Sequence, residues 1–214
     1  MNPMRDPKIL VWMFVVWLCP GVNAYAEEIG WYVGGGGGIS LAAIDEDFWV
    51  DDSISATTLE RWGPSYQFFG GYRFNRHFAL ELEYMRLADT VFTGVSDGED
   101  SIWVAGSVKG TTEIVGMAVQ GVGYWPLGNP DQVLYVKGGL FLWDSLAQYD
   151  TATINVLQRF NDDGGTLIGG MGAEMKAWGN WRVRGEIELT TVRLANREVI
   201  PAVNTTIALL HPLK

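Results

Sequence analysis

With 214 residues and a formal net charge of −10, the chain is sized for one domain, or one domain with a leader, and it lacks the basic face that nucleic-acid binding requires. A single cysteine, Cys19, rules out an internal disulfide. Its 27 glycines and ten tryptophans suit β-structure with interfacial aromatics better than a helical bundle.

The chain opens with the pattern of a signal peptide over residues 1–26. Arg5 and Lys8 make a basic start, Ile9 to Leu18 is unbroken apolar sequence, and Ala24-Tyr25-Ala26 supplies a small-x-small cleavage site. That apolar run has ten residues, about half of what a transmembrane helix needs, so an anchor is the weaker reading. A lipoprotein site at Cys19 would want a small residue before it, and Leu18 is not small. Cleavage leaves residues 27–214 as one domain without a thiol.

The sequence WYVGGGGGIS follows at residues 31–40. A phosphate-cradling loop would need Lys-Ser/Thr after its last glycine, and the next lysine is Lys109. Dinucleotide spacing counted from Gly34 or Gly35 ends on Ile39 or Ser40, neither a glycine. No cofactor is expected, and the glycine run needs a structural cause.

Beyond it, apolar and polar residues alternate with period two. In the segment HFALELEYMRL, residues 77–87, Phe78, Leu80, Leu82 and Tyr84 fall on one face, with Ala79, Glu81 and Glu83 on the other. Residues 133–143 set Leu134, Val136, Leu140 and Leu142 against Tyr135, Lys137 and Phe141. Residues 180–194 set Trp181, Val183, Ile187 and Leu189 against Arg182, Arg184, Glu186 and Glu188. The pattern predicts eight strands, over 30–41, 65–74, 77–87, 111–124, 132–143, 166–177, 181–194 and 203–211. Most are as long as the roughly 9 to 11 residues a tilted strand needs to cross hydrocarbon.

Short connections follow strands two, four and six, whereas long ones, 42–64, 88–110 and 144–165, follow strands one, three and five. Such alternation describes an all-β, eight-stranded antiparallel up-and-down transmembrane barrel, with both termini expected in the periplasm. Across the turn Trp178-Gly179-Asn180, parity puts Glu174 directly opposite Arg184. The turn Phe74-Asn75-Arg76 likewise puts Glu81 and Glu83 on the inner face with Gly71 and Arg73.

A soluble lipocalin-like barrel also alternates, with apolar residues inside. Three features favour the inverse arrangement. Aromatics gather where strands meet short turns: Trp31, Phe74, Tyr124, Trp125, Trp178 and Trp181 are expected in one interfacial girdle, with Trp62 and Trp143 starting the opposite one. The charged face mixes signs, as paired ions in a closed interior must. Expected in that interior network are Arg73, Glu81, Glu83, Lys137, Glu174, Lys176, Arg182, Arg184, Glu186 and Glu188. The long loops carry most of the acid: Asp45, Glu46, Asp47, Asp51, Asp52 and Glu60 in the first, Asp97, Glu99 and Asp100 in the second. In so narrow a cylinder glycine relieves Cβ crowding, which accounts for Gly34 to Gly38 as a packing device.

GWYVGGGGGIS after a leader, followed by FGGYRFNRHFALELEY at residues 69–84, resembles the small outer-membrane barrels of the OmpA/OmpX type, the porin-family β-barrel domain. The likeness spans nearly all of 27–214. It implies eight strands, insertion by the outer-membrane assembly machinery, and a structural, envelope-integrity or surface-recognition role. It also implies an inner salt-bridge plug. Family members usually end on an aromatic residue, whereas this chain ends IALLHPLK.

No catalytic constellation is expected. The two histidines, His77 and His211, fall near the short-turn ends of their strands and read as a turn cap and an interface residue. A lipid-modifying site must face the outer leaflet, beyond the reach of either. Glu81 and Glu83 resemble a glycosidase pair only in type, since a filled barrel leaves no room for a sugar. DEDFWVDD and SDGED offer oxygens for calcium without the loop spacing of a dedicated site, so no metal centre is expected. The expected surroundings are outer-membrane lipid and lipopolysaccharide, for a monomer whose surface ligand the loops do not name. The alternatives are a narrow passive pore and, behind it, a lipid-modifying enzyme.

Overall fold

The computed structural model describes residues 29–44, 54–99, 105–128, 131–151, 154–193 and 199–213. The expected leader, 1–26, lies outside them, as do Asp45 to Asp52 and Asp100 of the acidic loops.

The described residues form strands β1 (Gly30–Ala42), β2 (Ile54–Glu60), β3 (Trp62–Asn75), β4 (Phe78–Arg86), β5 (Thr90–Ser96), β6 (Gly106–Pro126), β7 (Gln132–Thr151), β8 (Ile154–Lys176), β9 (Arg182–Arg193) and β10 (Val199–Pro212). Eight of them close a ring in the order β1, β3, β4, β6, β7, β8, β9, β10, every neighbouring pair antiparallel. These are the eight predicted strands. The last, despite lacking a terminal aromatic, runs antiparallel to β1 from Tyr32↔Pro212 to Ala42↔Ala202 and so seals the cylinder.

Turn chemistry matches the short connections. The Asn75 carboxamide oxygen accepts from the His77 amide at 2.8 Å, and a bulge between Arg73 and Asn75 completes the β3–β4 turn. Gly179, with φ of 55°, takes the left-handed position between β8 and β9. The three short turns, Trp31 and Leu213 share one end of the barrel, with the Leu213 amide 2.7 Å from the Trp31 carbonyl.

At the opposite end the sequence expectation needs correcting, because the long connections are largely strand. β2 pairs with β5, and β5 with β6, inside what were expected to be loops. β7 and β8 pair from Gln132↔Met175 as far as Thr151↔Ile154, so the predicted loop 144–165 is mostly ladder. β-branched residues explain the extension: Ile54, Thr90 and Val108 are buried and keep the period-two pattern going past the apolar band. β2, β5, β6, β7 and β8 thus carry the wall well beyond the other five strands.

Face assignment follows the inverted arrangement. Val119, Leu140 and Leu167 lie in register across β6, β7 and β8 and point outward, 49%, 59% and 73% exposed. Glu81, Glu83, Gln67, Gln120 and Arg184 point inward and are fully buried. A soluble barrel cannot leave one face this apolar in water while sealing five glutamates inside.

The five glycines divide by face. Gly34, Gly36 and Gly38 face inward. A Cβ at Gly36 would press on the Ile207 carbonyl and lie 2.6 Å from the Ala208 Cα; at Gly38 it would press on the Thr205 carbonyl, 2.7 Å from the Thr206 Cα. β10 therefore packs against β1 as closely as its backbone allows. At outward Gly37 the nearest atom would be the Ser65 carbonyl oxygen, 3.5 Å away, which is ordinary contact.

Candidate functional site

The interior is layered along the barrel axis. Near the short-turn end Tyr32, Phe69, Val122, Tyr124, Tyr135 and Leu210 belong to one buried cluster. Toward the loop end Ile44, Phe92, Ile114, Phe141, Trp143 and Ile200 belong to a second. Charged and polar residues at inward positions of β3, β4, β6, β7, β8, β9 and β10 form a belt that begins within the first cluster, where Arg184 packs on Phe69 and Tyr135, and reaches toward the second.

At its centre is Lys137. Its Nζ stands 2.8 Å from Glu83 Oε2, 2.9 Å from Glu186 Oε2, 2.8 Å from Glu188 Oε1 and 3.7 Å from Glu81 Oε1. Arg184 forms the second node, with Nη1 2.8 Å from Glu81 Oε2 and Nη2 2.7 Å from Glu174 Oε1. Arg73 and Arg182 each approach Glu174 Oε2 at 3.3 Å. Five carboxylates thus face four cations in a volume that is closed to solvent except at the short-turn edge, where the Arg182 side chain is 13% exposed.

Coulomb attraction alone does not repay the cost of desolvating so many ions, and the remaining lone pairs require donors. Neutral side chains supply them. Tyr32 donates to Glu81 at 3.0 Å and Tyr135 to Glu186 at 2.6 Å. Gln120 donates to Glu83 at 2.8 Å and Glu188 at 3.2 Å, Thr206 to Glu186 at 3.2 Å, and Gln67 also bonds Glu186. Aromatic faces accept the guanidinium groups: Arg184 sits 4.3 Å from the Phe69 ring centre, and Arg73 4.1 Å from that of Tyr124. Each stave of the barrel is tied to another across the lumen.

The belt's chemistry is restrictive. Oxygens of Glu83, Glu186 and Glu188 lie within 4.8 Å of one another, the spacing of a cation site, and the Lys137 ammonium occupies its centre. Each of the five glutamates accepts from at least one buried donor, Glu188 from Gln120 and Lys137, and Glu174 from Arg184.

Nine of the ten residues expected in the interior network come together here. The tenth, Lys176, is exposed at the short-turn mouth opposite Arg182 and outside the belt. The girdle expectation needs two corrections. Tyr124 points inward and is 1% exposed, beneath Arg73; Trp143 points inward and is 5% exposed, in the loop-end cluster. Proximity to a strand end suggested the girdle, but both share parity with buried polar residues, Tyr124 with Gln120 and Trp143 with Lys137. Trp31, Phe74, Trp178 and Trp181 are exposed at the short-turn end, with Trp125 half-buried there, and Trp62 is exposed at the other end. Tyr72 links Trp31 and Phe74, its ring centre 5.1 Å from each. His77 sits in its turn, Nδ1 3.2 Å from the Tyr124 carbonyl oxygen, and His211 packs edge-on against Trp181 at 4.7 Å. In the second acidic loop Asp97 accepts from the Glu99 amide at 2.9 Å. Sequence reasoning missed Gln67, Gln120, Tyr32, Tyr135 and Thr206; polar residues at inward parity were the available signal.

An eight-stranded closed ring, apolar outside and ionic within, defines a membrane-spanning β-barrel of the small outer-membrane class. The chain belongs to the outer membrane protein β-barrel domain family, whose model matches residues 13–206. No curated protein sequence matches it. Two solved structures are similar in fold. One is the attachment invasion locus protein Ail of Yersinia pestis in complex with the heparin analogue sucrose octasulfate: 12% identical, TM-score 0.52, covering 87% of this chain and 100% of that one. The other is Neisserial surface protein A: 11% identical, TM-score 0.55, covering 86% of this chain and 97% of that one.

Proposed function

We propose that this outer-membrane barrel is non-catalytic and non-conducting, a sealed stake whose raised wall serves surface contact and envelope integrity. The observation that carries this reading is the interior. The Lys137–glutamate cage sits between two buried apolar layers, so charge and packing together oppose free passage of solutes along the axis. Five strands continue past the lipid band at one end, where a surface partner would meet ordered wall rather than loop alone. In this reading the raised end faces outward and the short turns with both termini face the periplasm. Lipopolysaccharide and other outer-membrane lipids cover the apolar face, the assembly machinery inserts the barrel, and it works as a monomer.

Two measurements test it. In planar bilayers the purified protein is expected to give no discrete openings; step currents would support a pore instead. In intact cells, Asp97→Cys is expected to react with a membrane-impermeant maleimide and Gly179→Cys is not. The reverse pattern would overturn the orientation.

A further inference from the structure

The β8–β9 ladder ends at Ile168↔Thr190, while β8 climbs onward beside β7 and β9 continues to Arg193. Above that point the two strands part, and a pocket of about 210 Å³ opens in the barrel wall. Its floor is a side-chain clasp, with the Thr166 and Thr191 hydroxyls 2.8 Å apart. Trp143 forms the inner wall, its indole lying against Gly164, where a Cβ would fall 3.0 Å from the Trp143 Cε2. Asp162 and Asp163 stand on the β8 rim and Arg193 on the β9 rim. Among the described residues neither Asp163 nor Arg193 forms an ion pair, and the β8 backbone above Ile168 has no ladder partner on this side.

We propose that this wall pocket binds one neutral sugar ring of a glycan. The chemistry selects by elimination. A phosphate would meet the Asp162 and Asp163 carboxylates, and an ammonium would meet Arg193. An aliphatic group would strip water from all three charges without replacing its hydrogen bonds. A hexose offers hydroxyl donors to the carboxylates, acceptors to Arg193, both to the threonine pair, and a C–H edge to the narrow strip of Trp143, 5% of the residue, that stays exposed. The volume is below the roughly 300 Å³ at which pockets for drug-sized ligands begin, which suits a single ring. Leu142, 62% exposed, is the last outward apolar residue of β7 before Asp144 and marks the edge of the lipid band just beneath. The sugar can therefore belong to a glycolipid of the same leaflet or to an external glycan. Only this choice of source rests on the proposed outward orientation of the raised end; binding itself does not.

The test uses the full chain folded in detergent, with saturation-transfer NMR against the methyl glycosides of glucose, galactose, mannose and N-acetylglucosamine, and with inorganic phosphate and ethanolamine as controls. At least one glycoside is expected to bind saturably. Arg193→Gln and Asp163→Asn, both exposed rim positions, should each weaken it by about tenfold, as losing one charged hydrogen bond does, while leaving heat-modifiable gel migration intact. Competition by purified lipopolysaccharide would identify a leaflet glycolipid as the source; glycoside binding without competition would identify an external glycan. No saturable glycoside signal, a signal unchanged in both variants, or preferential binding of phosphate would overturn the proposal.

Discussion

Glu174 lies directly across the β8–β9 ladder from Arg184, and the guanidinium Nη2 stands 2.7 Å from its carboxylate, in a site where both side chains are wholly buried. The same Arg184 reaches Glu81 on the far wall, 2.8 Å from its Oε2, so one side chain couples neighbouring and opposite staves. Removing either partner leaves an uncompensated buried charge, which costs about 3–5 kcal/mol. Glu174→Gln and Arg184→Met are each expected to lose stability on that scale in urea unfolding from lipid vesicles. The double variant should lose clearly less than the two added together. Strict additivity would mean the pair is not coupled.

Lys137 is the single cation at the centre of three glutamates, so Lys137→Ala should leave three opposed carboxylates and an empty cation position. The variant is expected to fold poorly on its own and to recover when millimolar calcium is present during refolding, because the remaining oxygens offer hard ligands at suitable spacing. Heat-modifiable gel migration reads the folded fraction. Equal recovery with sodium chloride would show simple screening rather than occupation of the site.

The glycine run yields a contrast within one strand. Gly36→Ala and Gly38→Ala force a methyl group onto the β10 backbone and should each cost about 1–3 kcal/mol as overpacking. Gly37→Ala points outward and should fall within about 0.5 kcal/mol of the parent, as surface changes usually do. Urea midpoints of the three variants, compared at constant m, decide it. Equal losses at all three would mean glycine is needed for backbone freedom rather than for close approach.

Most of the fold was legible because a barrel strand announces both its type and its inward face by parity. Glu81, Glu83, Lys137, Arg184, Glu186 and Glu188 fell on predicted inner faces, and the structure joins them. Parity also held the answer for Trp143, which falls on the same face as Lys137, Gly139 and Phe141. Clustering of aromatics near strand ends outweighed that signal. β2 and β5 fall inside the long connections 42–64 and 88–110, where ISATTLE and TVFTGVS are too short to stand out as strands. What recruits them into sheet is pairing with each other and with β6, a long-range relation that no local pattern carries. The Lys137 cage was legible as a set of residues but not as a geometry, since which carboxylates converge depends on how the ring closes. The parting of β8 from β9 left no local mark in the sequence.

The inward turn of Trp143 has its own optical consequence. Brominated lipid should quench Trp62, which is 66% exposed, and should not reach Trp143. Trp62→Phe is therefore expected to lower the quenchable share of the emission, and Trp143→Phe to raise it. The opposite result would put Trp143 back in the girdle.

Leu140 lies in the apolar band, flanked by Val119 and Leu167. Leu140→Arg should cost about 2–4 kcal/mol of folding free energy in lipid vesicles, the penalty for a cation on the lipid face near the bilayer midplane. A cost within about 0.5 kcal/mol, as at a water-facing surface site, would contradict an outer face built for hydrocarbon.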